Sequence, residues 1–266
     1  MGSIEILGYL SAIVIGLVLG LIGGGGSILT VPVLVYLLGA NPVIATAYSL
    51  FVVGVTSLVG ALRNIKNGLV DIKTAIIFSI PAFIAVYLTR KFLIPAIPNS
   101  LFTIGDLEVT KDMGIMVFFA VIMLLAAYFM IWGGCKNCDK ENQEIEYNYP
   151  MIVLEGFVVG ILTGIVGAGG GFLIIPALVL LAKLPMKKAV ATSLLIIALK
   201  SLIGFIGDVE NLLIDWQFLF IFTAFSILGI FIGIYLNKYI EGKKLKNYFG
   251  WFVLVMALYI LYMEIF

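Results

Sequence analysis

The chain has 266 residues, 62% of them hydrophobic and 12% charged, with a mean hydropathy of +1.19. An average soluble domain carries about 25% charged residues, so this composition places the chain in a bilayer. A net charge of +1 offers no handle for nucleic acid, and the absence of histidine removes His-ligated zinc, His-ligated haem and a His general base.

The first apolar stretch, 4–22, has no basic region before it and no small-residue cleavage site. It therefore reads as a permanent membrane segment and not a removed signal. It ends at Gly23-Gly24-Gly25-Gly26-Ser27, with Pro32 just beyond. Glycine is disfavoured in a helix by about 1 kcal/mol against alanine, so the run predicts a break. A short helix at 28–38 follows; eleven residues at 1.5 Å each cover only about 16 Å, half the hydrocarbon thickness. Longer helices are expected at 43–62, 72–94 and 113–133. A polar linker spans 134–149. It holds Cys135 and Cys138 as C-x-x-C, read as a redox pair, as half a metal site that would need two more ligands, or as two thiols without chemistry.

A second set follows at 151–166, 172–182, 187–206, 216–237 and 247–264. Its break is Gly167-Ala168-Gly169-Gly170-Gly171, with Pro176 beyond. The spacing to the first set is constant (167 − 23 = 144 and 176 − 32 = 144), and Gly16–Asp71 lies on Gly160–Asp215 without a gap. The expectation is an all-α polytopic membrane protein made of two repeats, 1–133 and 150–266, as one integrated transmembrane domain. Arg63, Lys66 and Lys73 flank one loop, whereas its counterpart carries Asp208, Glu210 and Asp215 and no Lys or Arg. Lys183, Lys187 and Lys188 match the uncharged Gly39, Val43 and Ile44. Because Lys and Arg mark the cytoplasmic side, equivalent loops face opposite sides and the repeats are inverted. The linker is then cytoplasmic and both termini lie outside the cell membrane.

Inverted repeats with interrupted helices are the pattern of secondary transporters, whose site lies at the repeat interface. Lipid cannot satisfy free backbone groups, so a break survives only where protein or a water-filled cavity supplies partners. Two short-helix N-termini facing each other make an anion site. The candidate binding residues are Gly23, Gly24, Gly25, Gly26, Gly167, Gly169, Gly170 and Gly171, with the hydroxyls of Ser27, Thr30, Ser49, Thr56, Ser57, Thr192, Ser193 and Ser201. Hydroxyls donate to oxyanions, but they also bond to their own helix carbonyls. Lys200, inside a predicted helix, binds substrate, snorkels or pairs with Asp208. Gly16 and Gly20 are expected to serve close packing. Glu5, Glu155 and Glu264 fall near segment ends, where a solvated or interfacial role is expected. No carboxylate relay is visible, which tilts the reading to uncoupled export, driven by about 2.3 kcal/mol per charge per 100 mV.

The motifs G-L-I-G-G-G-G-S-I-L-T-V-P at 20–32 and G-I-V-G-A-G-G-G-F-L-I-I-P at 164–176, with A-x-x-S-L at 46–50 and 190–194, resemble the sulfite exporter TauE/SafE family over essentially the whole chain. The resemblance implies a non-enzymatic transporter of small sulfur-containing anions such as sulfite, thiosulfate or organosulfonates, often outward. No cofactor and no metal is expected. Self-association into a homo-oligomer stays open. The alternatives are an anion channel on the same fold, or a membrane-anchored sulfur and redox protein using Cys135 and Cys138.

Overall fold

The computed structural model describes residues 3–93, 96, 98, 100–104, 107–132, 149–166, 171–181, 184–209 and 212–265. Cys135 and Cys138, like Gly167, Gly169 and Gly170, lie outside them. The helices are α1 (Ser3–Ile22), α2 (Gly25–Pro32), α3 (Pro42–Lys66), α4 (Ile72–Leu88), α5 (Lys111–Trp132), α6 (Tyr149–Val166), α7 (Gly171–Pro176), α8 (Met186–Val209), α9 (Trp216–Asn237) and α10 (Gly242–Ile265). The protein is all-α in class, with one addition that the apolar pattern did not predict. Between α4 and α5, β1 (Ser100–Ile104) and β2 (Leu107–Thr110) pair antiparallel as a hairpin.

Among the described residues, four helices contain spans long and apolar enough to cross a membrane: Ile44–Lys66 in α3, Met186–Ile206 in α8, Trp216–Asn237 and Gly242–Met263. The first two are 67% buried against 44% and 39% for the others, which makes α3 and α8 the centre of the bundle. They pack on each other, with α1, α4, α5, α6, α9 and α10 around them. The outward faces are apolar: Leu10 and Val14 on α1, Ile76 and Ile80 on α4, Leu125 and Phe129 on α5, Val255 and Leu258 on α10 are all exposed. In water this band would be an aggregation liability; against lipid tails it is the expected surface.

Two glycine seams set the close approach of the outer helices. A Cβ at Gly16 would collide with the Ser226 carbonyl, and one at Gly229 or Gly233 would collide with the backbone of α1 at Ile13 or Leu17. On the other side Gly156 lies against Phe78 and Gly160 against Ala82 of α4. In both seams the residue numbers rise together, so α1 runs parallel to α9 and α6 runs parallel to α4. The packing role expected of Gly16 and Gly20 is what the geometry shows.

The short helices fold back. Gly26 lies against Ile15 and Leu19 of α1, and Leu38 reaches back to Gly8, so α1 and α2 form a hairpin whose two ends share one level. The Asp71 amide donates to Thr192 Oγ1 (3.0 Å), which sets the start of α8 beside the start of α4, and α6 begins at that level too. The segment from α6 through α7 therefore also returns to the end it left. At the other end of α3, the Asp215 amide donates to the Tyr48 hydroxyl (2.7 Å). The two hairpins thus enter the bundle from opposite ends. Tyr48 and Thr192, like Asp71 and Asp215, stand 144 residues apart (192 − 48 = 144), so the same bond recurs at matched positions.

The break differs from the expectation in extent. Gly25 and Gly26 are inside α2, and only Gly23 and Gly24 are left between the helices; Gly23 takes φ +83°, a conformation that favours glycine. Contacts of Gly26 with Ile15 and Leu19 of α1 offset its poor helix propensity. Each short helix ends at its proline and relaxes into a π-helical turn, Val33–Leu37 and Ala177–Leu181. Proline lacks the N–H that the α-helical ladder needs there.

Gly229→Ala should lower the melting temperature in detergent, by the equivalent of about 1–3 kcal/mol for overpacking. Gly204→Ala, whose new Cβ would find its nearest neighbour at 3.5 Å, should be neutral or slightly stabilising. Size-exclusion-monitored thermal melts of the two variants separate these outcomes.

Candidate functional site

The two breaks meet at the centre. A Cβ on Gly171 would stand 2.8 Å from Gly24 Cα and 3.1 Å from its carbonyl oxygen. The first residue of α7 therefore touches the residue that caps α2. Gly23 is pressed on α8, where a Cβ would lie 2.6 Å from Ser193 Oγ and 3.1 Å from the Val190 carbonyl. Gly23, Gly24, Gly26 and Gly171 are buried. The N-cap of α2 is Gly24, which supplies no side-chain cap. Gly25, Gly26 and Ser27 form the first turn. A helix start leaves up to four N–H groups without intrahelical partners. Here that start is buried, lacks a side-chain cap and carries the positive end of the helix dipole.

The hydroxyls divide into two groups. Thr30 Oγ1 donates to the Gly26 carbonyl (2.7 Å), and Ser193 Oγ donates to the Val190 carbonyl (2.8 Å). Thr192 accepts from the Asp71 amide. These three are committed to backbone partners. Ser49, Thr56 and Ser57 on α3, and Ser201 on α8, are at most 1% exposed and have no hydrogen-bond partner among the described residues. Leaving a buried hydroxyl unsatisfied costs about 1–3 kcal/mol. Their helices are the two at the centre of the bundle.

Lys200 is 7% exposed, and its Nζ donates to Thr163 Oγ1 of α6 at 2.8 Å. Thr163 in turn donates to the Gly160 carbonyl (3.2 Å). The ammonium thus points sideways into the protein, not along the helix to an interface. Asp208, its other expected partner, has a side chain outside the described residues. The Tyr48 bond to Asp215 and the Thr163 bond to Lys200 were not anticipated; the offset of 144 that pairs Tyr48 with Thr192 is the signal that could have found the first.

At the end of the bundle where α3 and α9 stop and α8 starts, Asn64, Asn67, Lys187, Asn237 and Lys238 line a small open cleft of about 20 Å³, with Gly20 at its wall. That is room for a water molecule. Asn237 Nδ2 donates to the Leu21 carbonyl and so satisfies part of the end of α1.

Known proteins give a consistent comparison. The family model described as "Sulfite exporter TauE/SafE" matches residues 9–260. A "Probable membrane transporter protein" of Xylella fastidiosa is 28% identical over 252 residues, covering 93% of this chain and 91% of the relative. The "Probable membrane transporter protein YunE" of Bacillus subtilis is 30% identical over 257 residues, covering 90% of this chain and 92% of the relative. No solved structure matches significantly.

The division of the polar groups has a measurable consequence. Thr163→Val removes a hydrogen bond to a charged group and should cost about 1.5–3 kcal/mol. Ser201→Ala and Ser57→Ala remove hydroxyls that bond to nothing and should be neutral or stabilising. Thermal melts without added anion check both.

Proposed function

The chain belongs to the sulfite exporter TauE/SafE family, and on that footing we propose that this membrane transporter carries small sulfur-containing anions, such as sulfite, thiosulfate or organosulfonates, outward by alternating access. The observation that carries the reading is the contact between Gly24 and Gly171 at two buried helix starts, the first without a side-chain cap. Amides there bind an oxyanion without a fixed counter-charge, as helix N-termini do elsewhere. The unpartnered hydroxyls of Ser49, Thr56, Ser57 and Ser201 supply further donors, and Lys200 adds a positive charge nearby. Ser27 and the second glycine run, Gly167, Gly169 and Gly170, complete the site in this reading.

The two parts 1–133 and 150–266 act as inverted repeats in one transmembrane domain, joined by the linker 134–149. Supporting this are the hairpins that enter from opposite ends and the matched bonds at Thr192 and Tyr48. One part rocks against the other and exposes the breaks to each side in turn. Arg63, Lys66, Lys73, Lys187, Lys188 and Lys238 gather at one end of the bundle. By the bias of Lys and Arg that end is cytoplasmic, which puts both termini outside. In a bacterial-type cell membrane with a negative interior, each negative charge leaving gains about 2.3 kcal/mol per 100 mV.

Reconstituted protein should release radiolabelled sulfite or thiosulfate from liposomes faster than protein-free controls, and an outside-positive potential should accelerate the release. Absence of flux for every sulfur anion contradicts the reading. Lys200→Met should cut the rate at least tenfold. Cys135→Ser/Cys138→Ser should keep full transport, whereas loss of function in that double variant would favour a redox role of the pair. Single-channel currents far above carrier turnover would favour a channel.

A further inference from the structure

Glu155 does not sit where its sequence position suggests. It was expected at an interface. It lies six residues into α6, about 9 Å along the axis, and is 4% exposed. Neither carboxylate oxygen has a hydrogen-bond partner. The reason is the seam beside it: Gly156, the next residue, lies against the Phe78 carbonyl and Pro81 of α4, which draws this stretch of α6 into the bundle.

Among the described residues, the elements that pack on this part of α6 carry few charged groups. α6 carries no other charged residue, and α4 carries only Lys73, which is exposed near its start. The π-helical turn that follows α4, Thr89–Leu93, carries Arg90 and Lys91, and α5 carries Lys111 and Asp112 at its own start, both at the end of the bundle away from the start of α6. The segment from Gly171 to Leu181 holds no charged residue. Among the described side chains, no cation bonds to the carboxylate. Burying an isolated ionised carboxylate is too costly to persist, and such a group neutralises by taking up a proton. Intramembrane carboxylates of this kind mark ion pathways and proton relays. Two turns further along α6 stands Thr163, the partner of Lys200.

We propose that Glu155 is a proton-carrying site that links the transport cycle to a proton gradient. This rests on the transporter reading above and replaces the uncoupled mechanism that the sequence favoured. In the state described here Glu155 is a neutral carboxylic acid. When the two parts move and water reaches α6, the acid loses its proton to that water and becomes a carboxylate. Reburial requires a proton again, so the return step takes one up.

Two measurements test it. Infrared spectra of the reconstituted protein at neutral pH should show a protonated-carboxyl carbonyl band that Glu155→Gln removes. A wild-type spectrum that matches the variant in that region overturns the proposal, whatever the substrate. In proteoliposomes held at zero potential, thiosulfate flux by the wild type should change several-fold when a pH gradient is imposed. Thiosulfate suits the purpose because it stays a dianion across the neutral range. Glu155→Gln should be insensitive to the gradient, and Glu155→Asp should regain sensitivity. A gradient response that survives in Glu155→Gln, or a wild type that gives none, overturns the coupling role and leaves the transporter reading intact. Wild-type protein without any sulfur-anion flux counts against the transporter reading, and the infrared band still decides the protonation of Glu155.

Discussion

The constraint on which the structure depends is that a peptide bond away from water must find a hydrogen-bond partner. Most of this chain meets it by forming helices. At Gly23 and Gly24 the ladder stops inside the protein, and the next helix starts with no side chain to cap it. A soluble protein would place a serine or aspartate there. This chain does so where a helix starts at the end of the bundle: Asp71 accepts from the Thr74 amide and Asp215 from the Phe218 amide, both at 3.0 Å. Capped outer starts thus contrast with a central one whose N-cap is glycine, and the proposed site rests on that contrast.

The rest of the fold brings the starts of α2 and α7 together. α3 and α8 form the middle of the bundle, and the hairpins lean on them from opposite ends. The outer pairs, α1 with α9 and α4 with α6, meet along glycine seams that leave no room for a single methyl group. Tight seams of this kind let pairs of helices move as rigid units. In the proposed cycle the motion falls to the contacts between units, among them the touch of Gly24 on Gly171. The unpartnered hydroxyls on α3 and α8 lie in that central region, and their burial is a standing cost with no structural return.

Much of this was legible in the sequence because membrane composition, glycine and proline leave strong marks. The breaks, the prolines, the constant offset and the apolar spans all followed from residue type and spacing. The extent of the break did not, because Gly26 packs against Ile15 and Leu19, 11 and 7 residues away in sequence (26 − 15 and 26 − 19) but on the opposite arm of a hairpin. The β-hairpin was missed although Gly105-Asp106 stands between two short apolar runs, a turn signal masked by the search for long helices. Glu155 was misjudged because counting residues gives depth along a helix and says nothing of which face packs inward. The pairing of Lys200 with Thr163, 37 residues apart, is likewise a tertiary fact.

The central claim is that backbone amides at the start of α2, next to the start of α7, hold an anion. The direct measurement is solid-state NMR of the protein with ¹⁵N-glycine in lipid, with thiosulfate added against a chloride-matched control. The account predicts that the amide resonances of Gly25, Gly26 and Gly171 shift with saturable dependence on thiosulfate, while Gly229 and Gly233 in the packing seam stay fixed. Unmoved amides at the breaks, in protein that demonstrably transports thiosulfate, would contradict it.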